Sequence, residues 1–328
     1  MADLGTKYMG LPLRNPVIIG SSGLTDSVDK VVELEKAGAG AVVLKSLFEE
    51  QILHNFHLKM QDLKVESAYP EAEEYIVGHT RRQAVDEYLQ LVRDCRKAVS
   101  IPVIASINCL TFSDWINFAK DIQDAGASAL ELNISMMPSD PQKSGDQNEA
   151  AYISILNEVV RRVSIPVAAK VSPHFTGLAN AAMKLSWTGI SGLVLFNRYY
   201  SPDIDLATME VVPGNIFSNE YEYTLPLRWT AVLADRVTCD IAATSGIHNG
   251  EAAVKMLLAG AKAVQICSVI YEKGNGEIGK ILKQMENFMV QKGFGTVDDF
   301  IGKMSMHAVE NPAAYERVQF MKHFSKIE

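Results

Sequence analysis

Two lysines and two asparagines stand where short apolar runs end: Lys45 closes AVVLK, Lys170 closes PVAAK, Asn133 closes ALELN and Asn197 follows GLVLF. A lysine held in one place offers a positive charge or, once deprotonated, a nucleophilic amine. An asparagine presents donor and acceptor together, which suits a cyclic amide. TSGIHNG (244–250) and CS (267–268) each follow an apolar run and precede a helical pattern, where main-chain N–H groups and the helix dipole receive phosphate. Together these residue types suit an electron-rich or anionic ligand that carries a phosphate.

A repeated grammar positions them. EKAGAGAVVLK (35–45), QDAGASALELN (123–133), SWTGISGLVLFN (186–197) and LLAGAKAVQIC (257–267) each read as a helix end, a glycine and a strand. The glycine suits the left-handed position that closes a helix, and the apolar run suits a strand buried on both faces. VSIPVIASIN (99–108) and VSIPVAAKVS (163–172) open strands on proline, and NPVIIG and CDIAAT bring the count to eight. Helical periodicity lies between: Trp115, Phe118, Ala119 and Ile122 share one face, as do Tyr152, Leu156 and Val159 with Ile155, Val160 and Val163. Eight alternating strands and helices predict an α/β fold, a TIM (β/α)8 barrel with an N-terminal hairpin and a C-terminal extension, as one domain over residues 1–328. A doubly wound open sheet is the alternative.

Counting along each strand sharpens this. Seven residues beyond the glycine lie Lys45, Asn133 and Cys267, and four beyond the proline lie Ser106 and Lys170. Polar residues therefore gather at the C-terminal mouth, where barrel enzymes keep their active sites.

Composition sets outer bounds. A net charge of −8 with no cluster of Lys and Arg argues against a nucleic-acid surface. No apolar stretch approaches the roughly 18 residues of a membrane span, and MADLGTKYMG lacks a signal-peptide pattern, so a cytoplasmic protein without membrane contact is expected. Cys95, Cys109, Cys239 and Cys267 show no close pairing, and no metal site is expected.

NPVIIGSSG (15–23), VVLKS (42–46), ASIN (105–108), ALELNIS (129–135), AAKVSPHF (168–175), LFN (195–197) and SGI with AGAKAVQICS (to 268) resemble the dihydroorotate dehydrogenase family in order and spacing. The chain is also similar to the pyrimidine-reducing barrel of dihydropyrimidine dehydrogenase. The resemblance runs from LGTKYMGLPLRNP to VDDFIGK near residue 300. It implies an FMN-containing barrel of pyrimidine metabolism, a homodimer, which moves a hydride between flavin N5 and the C5–C6 bond of a dihydropyrimidine. By the same resemblance Ser21, Ser22, Lys45, Ser46 and Asn108 line the flavin, and Ser245, Gly246, Cys267 and Ser268 hold its phosphate. Lys170 faces the flavin edge that gains negative charge on reduction, which a fixed ammonium stabilises. Asn133 and Asn197 hold polar edges of flavin or substrate. The family's Gly-Gly and Gly-Thr pairs read Ser245-Gly246 and Cys267-Ser268 here, and its Gly-rich turn is replaced by FSNEYEYTLPLRW (217–229).

One departure bears on chemistry. The family continues Asn-x-Ser-Cys-Pro-Asn, or Ser for Cys, and that Cys or Ser removes the C5 proton. Here the run is Asn133, Ile134, Ser135, Met136, Met137, Pro138, and a thioether has no ionisable proton and little basicity. The family's Asn-x-x-Gly-Leu-Pro-Asn is also missing; residues 67–83 read SAYPEAEEYIVGHTRRQ. An altered small-molecule substrate, pyrimidine-like or enone-like, is expected. His174 is the candidate substitute base, ahead of Cys109 and Tyr199. Met136 is expected either to pack on flavin or substrate or to fill a gap. PSDPQKSGDQNE (138–149) is expected to be a mobile loop over the site. Two other readings are a lyase or aldolase forming a Schiff base through Lys170 or Lys45, and a catalytically inactive flavin-binding protein.

Overall fold

The computed structural model describes residues 2–48, 70–108 and 112–317. The chain opens with an antiparallel hairpin, β1 (Thr6–Tyr8) and β2 (Leu11–Leu13). Eight parallel strands follow: β3 (Val17–Ile19), β4 (Ala41–Val43), β6 (Val103–Asn108), β7 (Ala129–Asn133), β8 (Val167–Val171), β9 (Gly192–Leu195), β12 (Asp240–Thr244) and β13 (Ala263–Ile266). A two-residue strand, β5 (Leu47–Phe48), extends the pairing along β6. Each barrel strand pairs with the next, and β13 returns to β3, which closes the ring. An open doubly wound sheet is thereby excluded.

Helices cover the ring: α1 (Val28–Ala37), α2 (Pro70–Ala98), α3 (Phe112–Asp124), α4 (Gly145–Arg162), α5 (Leu178–Ser186), α6 (Thr224–Leu233), α7 (Gly250–Ala259), α8 (Ser268–Lys273) and α9 (Gly276–Lys292). Gly38 and Gly260 close α1 and α7 with φ of 113° and 119°, the left-handed geometry read from the repeat. The side chain of Trp115 lies outside the described residues; Phe118, Ala119 and Ile122 are buried on one face of α3. No described helix is long and apolar enough to cross a membrane.

Side chains alternate across the barrel wall because the strand period is two. Ile18, Val43, Ile104 and Val194 point inward and meet Tyr8, Met9 and Leu13, so the hairpin stoppers the N-terminal end. The other parity faces the helices. Gly192 permits this seal, since a Cβ there would lie 2.7 Å from the Tyr8 hydroxyl and 2.9 Å from Met9.

Two features differ from the sequence reading. Residues 138–149 are only half a loop: Ser144 caps α4 in a capping box with Gln147, and the helix begins at Gly145. A serine three residues ahead of a glutamine satisfies two free N–H groups, which outweighs the helix-breaking look of Ser-Gly. A second hairpin, β10 (Pro202–Asp205) and β11 (Glu210–Pro213), projects between β9 and α6. Its tip exposes Leu206 and Met209 by 89% and 86%, with Ile204 and Val211 also bare.

Candidate active site

The same parity that places Ala129 inside the barrel also points Glu131 and Asn133 inward, higher up β7. On β8 the inward pair is Ala168 and Lys170, and beyond Ala263 on β13 it is Gln265 and then Cys267. Small apolar residues thus fill the lower layer and polar ones the layer above. There Lys170 Nζ donates to Gln265 Oε1 at 3.0 Å, and Gln265 Nε2 donates to Glu131 Oε2 at 2.5 Å. Lys170 Nζ also lies 3.7 Å from Glu131 Oε1, an oxygen without a hydrogen-bond partner among the described residues. Lys170 is 8% exposed and the other two 1%. In so dry a setting these contacts fix the lysine.

A serine ladder stands beside it. Ser46 Oγ is 2.6 Å from Ser106 Oγ and 3.0 Å from Ser21 Oγ, and the Ser46 N–H donates to Ser21 Oγ. Tyr88 of α2 anchors the ladder by donating to the Ser106 carbonyl and accepting from its N–H. Ser22 turns its hydroxyl to the Gly20 carbonyl. Lys45 is half-buried and its Nζ meets no partner among the described residues, while Asn108 ends β6 half-buried.

The two asparagines meet. Asn197 Nδ2 donates to Asn133 Oδ1 at 2.8 Å and to Ser135 Oγ, whose hydroxyl donates to Asn133 Oδ1 at 3.3 Å.

A cavity of about 200 Å³ joins Lys170 and Ser21 to Ser245, Gly246, Cys267 and Ser268, with Asn197 also on its wall. Lys45, Ser22, Ser46, Asn108 and Asn133 are not among the described residues lining it. Ser245 and Gly246 both hold positive φ, 77° and 71°, and an added Cβ at Gly246 would collide with the Tyr223 main chain. The buried N–H groups of Gly246 and Ile247 meet no acceptor among the described residues. Unpaired buried donors at a turn that enters a helix suit an oxyanion such as phosphate. Burial pushes the Cys267 thiol up, against the pull of the Lys170 charge and of hydrogen bonds with Ser22 and Gly20, so it serves as a neutral group.

A wider groove of about 920 Å³ adjoins the cavity at Asn197. Ser135, Met137, His174, Tyr199 and Leu225 line it. Met136 does not: it packs half-buried against the helix-side core. Its N–H donates to Tyr152 OH at 3.3 Å and its carbonyl accepts from Tyr199 OH at 3.2 Å. Alternation along the extended chain therefore turns Ser135 and Met137 to the groove. His174 is exposed there, its ring 5.2 Å from that of Tyr199. Cys109 lies outside the described residues.

The sequence alone marks Glu131 as a polar strand-end residue without a role, and it gives none to Gln265, Ser218, His248 or Arg198. Glu131 and Gln265 were readable, since each stands two residues before a named position on the same strand face. Arg198 Nε pairs with Glu222 Oε2 at 2.8 Å and its Nη1 donates to the Ile216 carbonyl. Burial pushes the Glu222 carboxyl up, but hydrogen bonds from Arg198 and the Asn219 N–H outweigh it and leave the group below its usual range.

A closed parallel barrel with a buried lysine network at its C-terminal mouth has the architecture of a barrel enzyme whose site lies at that mouth. The dihydroorotate dehydrogenase family model matches residues 3–289, and the chain belongs to that family of flavin-dependent oxidoreductases. It is 28% identical over 318 residues to the Thermoplasma acidophilum dihydroorotate dehydrogenase B (NAD(+)) catalytic subunit, covering 92% of this chain and 99% of that one. A protein of Aeropyrum pernix, provisionally named dihydroorotate dehydrogenase A (fumarate), is 28% identical over 315 residues, covering 92% and 97%. The catalytic subunit from Methanocaldococcus jannaschii is 26% identical over 310 residues, covering 91% and 97%. Family membership sets aside the Schiff-base lyase.

Proposed function

We propose that the protein is an FMN oxidoreductase acting on a CH–CH bond of a pyrimidine-like or enone-like small molecule seated in the groove. One observation carries the reading: the cavity lined by the fixed Lys170 is also lined by Gly246 and Ile247, whose N–H groups meet no acceptor among the described residues. Ser21, Ser22, Lys45, Ser46 and Asn108 would flank FMN, and Ser245, Gly246, Cys267 and Ser268 would hold its phosphate. Bound FMN supplies the hydride-accepting chemistry. Asn133 and Asn197 orient a substrate amide or carbonyl, and Lys170 balances negative charge on the adjoining ring edge. His174 is the proposed proton acceptor, with Ser135 on the same wall.

Dihydroorotate itself should react about 10²- to 10⁴-fold more slowly than with a poised thiolate or alkoxide, the usual worth of general base catalysis. The test is uptake of FMN by the purified protein, followed by anaerobic bleaching of its yellow colour with dihydroorotate and with reduced pyrimidines and cyclic enones. Bleaching by one of these that slows in His174→Gln is the expected result. A yellow protein inert to every donor would instead support a flavin-binding protein without catalysis. Because the relatives' names differ in acceptor, NAD⁺ and fumarate are both supplied for turnover.

We also propose a homodimer, with the apolar tip of the β10–β11 arm buried between copies. Leu206→Glu combined with Met209→Glu should convert a sedimenting dimer to monomer. Wild-type protein that sediments as a monomer at micromolar concentration defeats this assembly.

A further inference from the structure

The segment that replaces the Gly-rich turn brings a hydroxyl into the cavity. Ser218, between β11 and α6, is 6% exposed and lines the cavity beside Ser268. Its N–H donates to Ser268 Oγ at 3.0 Å, and its Oγ also donates to Ser268 Oγ, at 3.1 Å. Behind it, His248 Nε2 is 3.1 Å from Ser218 Oγ, and His248 Nδ1 is 3.5 Å from Glu272 Oε2. His248 is only 3% exposed. Three segments distant in sequence therefore converge in one line, an exposed carboxylate, a buried imidazole and a buried hydroxyl, that ends at the cavity.

The charge balance gives this line a purpose. Among the described residues the cavity wall carries two cations, Lys170 and Arg198. Lys170 is committed to Gln265 and Glu131, and Arg198 to Glu222 and the Ile216 carbonyl. A phosphate beside Gly246 and Ser268 would thus be met by main-chain N–H groups and neutral hydroxyls. In the tautomer whose Nε2–H donates to Ser218 Oγ, the Ser218 hydroxyl proton is directed away from the imidazole toward Ser268 Oγ and can turn to a phosphate oxygen seated there.

We propose that Ser218 is a phosphate ligand for the cofactor, and that His248, backed by Glu272, is a positioning residue that holds its hydroxyl. The inference rests on the FMN reading above and adds residues that lie outside the motifs carrying the family resemblance.

Full-length protein stripped of flavin and titrated with FMN and with riboflavin tests it. Ser218→Ala and His248→Leu should each weaken FMN binding about 10-fold, the worth of one hydrogen bond to a charged group, while riboflavin binding is unchanged. His248→Gln, whose amide can still donate to Ser218 Oγ, should recover most of the loss, and the Ser218→Ala, His248→Leu double variant should be no weaker than Ser218→Ala. The ³¹P resonance of bound FMN should move in Ser218→Ala. Equal loss of both flavins, or an unchanged ratio between them in both single variants, overturns the inference. Wild-type protein that takes up no FMN overturns the cofactor reading first and the inference with it.

Discussion

Lys170→Met should yield a folded, yellow protein whose colour is bleached by substrate about 10²- to 10³-fold more slowly than wild type, the scale on which one preorganised electrostatic donor contributes. Methionine keeps the length and most of the volume of the lysine stem and removes the charge together with the hydrogen bond to Gln265. The effect is expected in the reductive step measured by anaerobic stopped flow, with a smaller change in substrate affinity, because the charge acts on an edge that becomes negative during the reaction. Gln265 and Glu131 make the site unforgiving, since they hold the ammonium in one position. Lys170→Arg restores charge but not the compact head that fits between them, so it should rescue poorly. A Lys170→Met protein reduced at the wild-type rate would remove this lysine from the chemistry.

Glu131→Ala should lower the free energy of unfolding by about 3–5 kcal/mol, the cost of breaking a buried pair by deleting one partner. Three penalties coincide. The Lys170 charge loses its counter-ion, Gln265 Nε2 loses its acceptor, and a hole opens in the middle layer of the barrel. Glu131→Gln keeps the shape and an acceptor for Gln265, so its loss should be smaller, about 1–3 kcal/mol. Urea unfolding followed by far-ultraviolet circular dichroism reads both. If Glu131→Ala unfolds at the wild-type midpoint, the Glu131–Gln265–Lys170 network does not brace the barrel. Because Lys170 then sits without its partner, the alanine variant should also show altered flavin reduction even in the folded fraction.

Much of the barrel could be read before any coordinate. Glycine then apolar run, repeated, placed helix ends and strand starts together, and the left-handed Gly38 and Gly260 follow from that pattern. Counting from the glycine or proline that opens each strand carries Asn133, Lys170 and Cys267 to the mouth, and period-two alternation one step lower leads to Glu131 and Gln265. Residue 136 shows the opposite difficulty. Its type announced a lost base, but its direction was set by Tyr152 of α4 and by Tyr199, which hold its N–H and carbonyl. Burial and the neighbouring Tyr199 raise the Tyr152 hydroxyl well above its ordinary value, which keeps it a neutral hydrogen-bonding partner at that spot.

The sequence by itself determined the strand–helix alternation, the polar mouth and the chemistry that Met136 cannot perform, because these depend on local period, turn residues and functional groups. Only the tertiary structure decided which of those groups touch. Glu131 meets Gln265 across 134 residues and Lys170 meets Gln265 across 95, and Ser218 of one loop reaches His248 of another and Ser268 at the start of α8. Such contacts depend on how a ring of strands closes and staggers, a property of all eight together that no single stretch of chain encodes.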